Sequence, residues 1–188
     1  MKVLLMTSAN TVGKDAVPLV EAIPDSAILR DGKPFFVPSW DSHWEYMPAI
    51  AYKISRLGKN IARKFALRYV DAATVALRVM PQDTLRLLSE EGGSRSVATA
   101  FDGSVILGEW LPLPTGDTAT VAGNHGETAI PAHLDALARS IEALSRYFTL
   151  KMGDIIIPPP ASEPYPMEID TRLEYLLDGT AALGCNIK

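Results

Sequence analysis

Residues 148–161 read FTLKMGDIIIPPPA, and the end of this run limits what the chain can build there. A turn through Lys151, Met152, Gly153 and Asp154 leads into Ile155, Ile156 and Ile157, an apolar, β-rich strand. That strand runs straight into Pro158, Pro159 and Pro160. Proline has no backbone N–H and a φ held at about −65°, so this loop cannot cradle an oxyanion or a carboxylate with main-chain donors.

Strand signals dominate the rest of the chain. Segments 3–6, 35–37, 44–54, 74–79, 104–107, 155–157 and 168–177 are strand-like, most of them bounded by Gly, Pro, Asp or Ser. The pair Asp31-Gly32 reads as a hairpin turn. Residues 59–69 carry Ile61, Phe65 and Tyr69 at helical spacing, and 133–148 carry a longer stripe from Leu134 through Ile141 to Phe148. A third helix is expected over 84–91, stopped by Gly92-Gly93. Residues 112–131, rich in Gly, Thr and Pro, read as a loop with one weak strand at 118–122. Few helices among many strands in irregular order predict an α+β fold, not a doubly wound one. At 188 residues, 47% of them apolar, the chain has material for one domain with a sizeable core.

Charge excludes some partners. The 18 basic and 22 acidic residues read as well mixed, with no stripe to track a phosphate backbone, so no nucleic-acid partner is expected. The opening MKVLLM is too short for a signal-peptide core or a membrane span. It is expected to form the first strand of a cytoplasmic protein with no membrane partner. The single cysteine, Cys185, allows no disulfide within the chain and no cysteine-cluster metal site.

Few titratable groups stand in a suggestive pattern. Asp41, His43 and Glu45 alternate, which puts their side chains on one face, as in a metal-ligand trio; the plainer reading is a solvated face beside Trp40 and Trp44. His125, in a Gly-Asn-His-Gly run, and His133, near a helix start, read as surface residues. Ser94, Ser96 and Ser104 lack the Gly-x-Ser-x-Gly context of a hydrolase nucleophile.

Several blocks carry a more specific signal. DGKPFFVPSW (31–40), WEYMPAIAYKISRLGKNI (44–61), RYVDAATVA (68–76), FDGS (101–104), GEW (108–110) and FTLKMGD (148–154) follow one another in order. Together they make nearly the whole chain resemble the fumarylacetoacetate hydrolase family. The resemblance implies a mixed β-sandwich roll of the family's C-terminal-domain type, a single domain over 1–188 and a homodimer. It also implies a magnesium or manganese ion held by a Glu-x-Glu pair just before a leucine on a long strand, and by an aspartate on a later strand. Hard cations need oxygen ligands, and a strand's two-residue period puts both glutamates on one face.

By position, the glutamate pair falls on Met47 and Ala49, with Ile50 at the leucine, and the aspartate falls on Arg78. The family lysine before Phe-Asp-Gly falls on Thr99, and the substrate loop Thr-Gly-Thr-Pro falls on Pro158, Pro159 and Pro160. The family's N-terminal catalytic histidine and glutamate have no counterpart in residues 9–15, and that segment is short for a catalytic lid. No metal cofactor is therefore expected. Arg78 has two readings: an anion site for a small carboxylate, or a pair with a neighbouring acid, Glu45 first, that closes the pocket. The function expected is that of a non-catalytic binding or regulatory homologue. The alternative is a metal-dependent hydrolase, decarboxylase or isomerase acting on a β-diketo or 2-oxo acid with rebuilt ligands.

Overall fold

The computed structural model of the chain describes residues 1–7, 17–30 and 32–188. In chain order the strands are β1 (Lys2–Met6), β2 (Val20–Pro24), β3 (Ile28–Arg30), β4 (Trp44–Ile54), β5 (Val70–Pro81), β6 (Val105–Leu107), β7 (Leu111–Pro112), β8 (Thr118–Gly123), β9 (Gly126–Pro131), β10 (Ile155–Ile157), β11 (Tyr165–Pro166), β12 (Arg172–Leu177) and β13 (Thr180–Asn186). The helices are α1 (Gln82–Glu90), α2 (Ser96–Thr99) and α3 (His133–Tyr147).

Among the described residues the strands form two sheets. The larger runs β2-β1-β10-β4-β5-β6-β3, with β11 added to β4 and β7 to β5. Its terminal strands, β2 and β3, are joined by a single 3-10 turn, Asp25–Ala27, so the sheet must curl until its ends meet. Period-two alternation then gives each strand an inner and an outer face. Along β4, Ala49 and Ala51 point into the roll with Val3, Leu5, Ala76, Val105 and Ile155. Tyr46, Ile50, Tyr52 and Ile54 point outward. The small inner side chains suit the tight curl. The outer face is covered by the second sheet, β13-β12-β8-β9, and by the apolar stripe Leu137, Ile141 and Leu144 of α3. This is the α+β sandwich roll expected. The sheets approach closely at Gly108, where a Cβ would lie 2.0 Å from Ala182 O, so no larger residue fits there.

Several local expectations need correction. Residues 59–69 form no α-helix: Asn60 is left-handed, at φ 52°, and only a 3-10 turn, Arg63–Tyr69, follows. The backbone donors there are satisfied instead by the end of α3, through Asn60 N–H to Ser145 O and Ile61 N–H to Ser145 Oγ. Asp31 lies outside the described residues. The described residues on either side of it pair elsewhere: β3 in parallel with β6, and Phe35 with Ile187. Residues 35–37 are not a strand beyond that bridge. The segment read as a loop holds a full hairpin, β8 and β9, in which Ala119 and Val121 face the core in alternation. The strand expected over 168–177 starts only at Arg172, because Asp170 turns the chain at φ 63°. Its partner β13 is joined to it through Asp178-Gly179, both at positive φ.

The three prolines shape the sheet locally. β10 pairs with β4 only at Lys53 and Tyr52, because the residues after Ile157 have no N–H to continue the ladder. On that side β4 is next paired at Tyr46, by Tyr165. The stretch between is left as a slot.

Candidate functional site

The β4–β5 ladder sets Met47 opposite Arg78 and Ala49 opposite Ala76. All four line one narrow pocket of about 10 Å³ at the mouth of the roll, together with Leu5, Ile157 and Pro160. The three positions matched to metal ligands therefore do converge, and one proline of the matched loop closes over them. Thr99 does not join them; it is buried at the end of α2, next to the Ala98 that packs with Met47 and Met80.

Arg78 lines this pocket, and its guanidinium is bonded to Glu21, which does not line it. Its Nη2 donates to Glu21 Oε1 at 2.7 Å, and Arg95 Nη2 stands 3.9 Å from the same oxygen. Both partners of the pair are nearly buried, at 10% and 12% side-chain exposure, which makes this an internal ion pair and not a surface one. The expected partner, Glu45, is engaged elsewhere: it accepts from Gln82 Nε2 at 2.5 Å and faces His43 at 3.7 Å. Glu21 reaches Arg78 because the curl brings β2 over the mouth, and β2 carried no sequence signal strong enough to be read.

Burial raises the Glu21 carboxyl above its ordinary value, and the attraction of Arg78 and Arg95 only partly offsets it. Burial likewise lowers Arg78, against the pull of Glu21. The second oxygen, Glu21 Oε2, is buried with no hydrogen-bond partner among the described residues.

These residues do not fit a hard dication. The lining supplies a thioether, methyl groups, a proline ring and the side chain of Arg78, while the nearby carboxylate of Glu21 is held by Arg78. The trio Asp41, His43 and Glu45 does not converge either. Asp41 accepts from the N–H groups of His43 and Thr84, both at 2.8 Å, tying the entry of β4 to the first turn of α1. Burial alone would raise the Asp41 carboxyl, but these hydrogen bonds outweigh it and hold the carboxyl below its usual range. No group of three His, Cys, Asp or Glu side chains among the described residues is arranged to hold an ion. Residues 9–15 lie outside the described residues.

The slot beside the mouth is chemically different. Pro158, Pro159, Pro160 and Ala161 form one wall, with Ala49, Ile50, Tyr52, Ile130, His133 and Ala136 opposite. His133 is 2% exposed, not a surface residue. Its Nε2 lies 2.9 Å from Gly116 O, which only accepts, so Nε2 carries the proton and Nδ1 accepts from Tyr52 OH at 2.8 Å. Burial pushes the Tyr52 phenol far above its ordinary value, so it remains a donor. A second pair follows along the same face of β4. Tyr46 OH meets His125 Nε2 at 2.8 Å, and the His125 ring stacks on Tyr165 with centroids 4.1 Å apart. His125 itself is exposed, as expected. The readable signal for these pairs was the spacing of Tyr46 and Tyr52 on one face of an apolar strand.

No family profile matches the chain. Among curated proteins it is similar to the mitochondrial oxaloacetate tautomerase fahd-1 of Caenorhabditis elegans, with 23% identity over 156 residues, covering 79% of this chain and 72% of that one. Among solved structures it superposes on a Yersinia pestis protein assigned to the fumarylacetoacetate hydrolase family, at TM-score 0.83 and 21% identity over 100% of this chain and 92% of that one. The chain has the fumarylacetoacetate hydrolase fold. A fumarylpyruvate hydrolase from Pseudomonas aeruginosa, in complex with Mn2+ and pyruvate, shares this fold at TM-score 0.82 and 18% identity, covering 100% of this chain and 89% of that one. So does a 5-carboxymethyl-2-hydroxymuconate delta-isomerase from Mycobacterium smegmatis, at TM-score 0.81 and 20% identity over 99% and 76%. The fumarylacetoacetate hydrolase fold thus carries both hydrolase and isomerase chemistry among these neighbours. The resemblance read from the residue blocks holds at the level of fold.

Proposed function

We propose that this chain is a fumarylacetoacetate hydrolase family protein that works without the family's metal, as a non-catalytic binding or regulatory homologue. One observation carries the reading: the residues at the three metal-matched positions meet in a single apolar pocket, and the only charged one among them turns its guanidinium to Glu21. With that guanidinium taken, a small carboxylate ligand would have to compete with Glu21 for Arg78. General acid–base chemistry also needs a titratable group at the reacting centre, and this lining has none that is free.

A second reading keeps the chain an enzyme acting on a β-diketo or 2-oxo acid with rebuilt ligands. It is favoured by the structural likeness to a hydrolase solved with Mn2+ and pyruvate, and by the carboxylate of Glu21 at the mouth. Two measurements separate the readings. Calorimetric titration of the metal-stripped protein with Mn2+ and with Mg2+ should give no saturable heat, and the protein should turn over neither oxaloacetate nor fumarylpyruvate. One equivalent of tightly bound metal, or metal-dependent turnover, would establish the enzyme instead.

A further inference from the structure

The β4–β5 ladder has two ends. Arg78 and Met47 mark the mouth; at the other end, eight residues along β5 and roughly 25 Å away, the strands are joined through residues 55–69. This connection breaks the even charge mixture expected of the chain. Residues 46–70 hold six of the 18 basic residues and none of the 22 acidic ones.

The structure neutralises only some of them. Lys53 faces Asp71 at 3.9 Å and Arg63 pairs with Asp135, while Lys59 keeps its charge and donates only to a backbone carbonyl, Arg146 O. Arg56, Lys64 and Arg68 have no carboxylate partner among the described residues. Lys64 and Arg68 rest on the Phe65 ring, each 4.9 Å from its centroid. Apolar surface is left in water beside these cations: Leu57 is 69% exposed and Phe65 40%. Packing does not explain this, because the 3-10 turn Arg63–Tyr69 buries only Ala66. Arg56, Leu57, Phe65, Arg68 and Tyr69 together wall an open surface cleft of about 330 Å³.

We infer that this cleft is a binding site for an amphipathic organic anion, an aryl carboxylate or aryl phosphate. Two guanidiniums on one cleft repel each other until an anion lies between them, and their planar forks suit a carboxylate or phosphate. Leu57, Phe65 and Tyr69 supply the apolar wall that a bare inorganic anion would not use. The volume lies in the range of small-molecule sites. The inference is independent of the metal-free reading of the mouth, since no residue is shared between the two.

The test is calorimetric titration of the full chain at low salt with naphthyl phosphate, naphthoate and inorganic phosphate. Saturable one-to-one binding of a naphthyl anion is expected, about tenfold or more tighter than inorganic phosphate, and weakening as salt is raised. Arg56→Gln and Arg68→Gln should each weaken it about tenfold or more, the effect of losing a charged hydrogen bond. Arg56→Lys should fall between, and Leu57→Asp should also weaken it. Arg139→Gln, on α3, should change nothing, and unchanged thermal unfolding of every variant would exclude misfolding as the cause. The inference is overturned if no naphthyl anion binds, if inorganic phosphate binds equally well, or if the two arginine variants bind like the parent. It is also overturned if a glutamate-rich peptide binds through Arg56 and Arg68 while naphthyl anions do not, which would make the patch a protein-docking face.

Discussion

The inner and outer faces of β4 both lie against polar groups set in apolar surroundings, and they are held by opposite means. On the inner side Arg78 and Glu21 are charged, nearly buried, and one carboxylate oxygen has no partner among the described residues. On the outer side Tyr52 and His133 form a neutral chain that ends on a backbone carbonyl, with every ring nitrogen paired. Removing two charges from water costs several kcal/mol per ion, so the inner pair adds little net stability yet is expensive to break. The neutral chain costs little to bury and loses only one hydrogen bond at a time. The first arrangement pins β2 across the mouth of the roll; the second fixes α3 against the sheet.

The sharpest way to break this contrast is to cut the ion pair. Arg78→Ala should destabilise the fold by about 3–5 kcal/mol in urea unfolding, by leaving Glu21 buried and unpaired. Replacing both partners, Arg78→Met with Glu21→Leu, should recover most of that loss. A loss below about 1 kcal/mol for Arg78→Ala would mean the pair behaves as a surface one.

On the outer face, Tyr52→Phe should cost about 1–3 kcal/mol by stranding His133 Nδ1. Tyr46→Phe should cost less, about 0.5–1.5 kcal/mol, because water can replace it on the exposed His125 and the other contact it loses, from Tyr175 OH, is long at 3.5 Å. Equal losses at the two tyrosines would remove the distinction between the buried and the exposed pair.

The pH dependence follows from Glu21. Its carboxyl titrates higher in the fold than its ordinary value of 4.5, so folding takes up a proton between the two values. Its contribution is fully present below 4.5 and fades as pH rises through the folded value. Unfolding midpoints should therefore fall over that interval in the parent, and Glu21→Gln should flatten this limb. A limb of unchanged slope in the variant would show that another carboxylate sets it.

The smallest expected effect is none at all. Added Mn2+ or a chelator should leave the thermal midpoint of the protein unchanged, because a ligand stabilises a fold only by binding its native state. A rise with Mn2+ that Glu21→Gln abolishes would turn the inner face from an ion pair into a metal site.

Much of the fold was legible because its signals are local. The apolar run of β4, the triple isoleucine of β10 and the stripe of α3 each declare their period within a few residues. The hairpin β8–β9 and the strand β13 were harder to read, since their Thr, Ala and Gly residues have weak propensity and are held by pairing with distant strands. At the candidate site the two-residue period of β4 and β5 was enough to bring Met47, Ala49 and Arg78 together. It did not select Glu21 over Glu45.

What the sequence determined by itself was chemical: which side chains stand at the matched positions, and that three prolines leave the loop after β10 without donors. What only the tertiary structure decided was partnership. Glu21 meets Arg78, and His133 meets Tyr52, across 57 and 81 residues of chain, because the sheet curls and α3 folds back over it. Such contacts depend on where whole elements pack, and no periodicity within a short window encodes that.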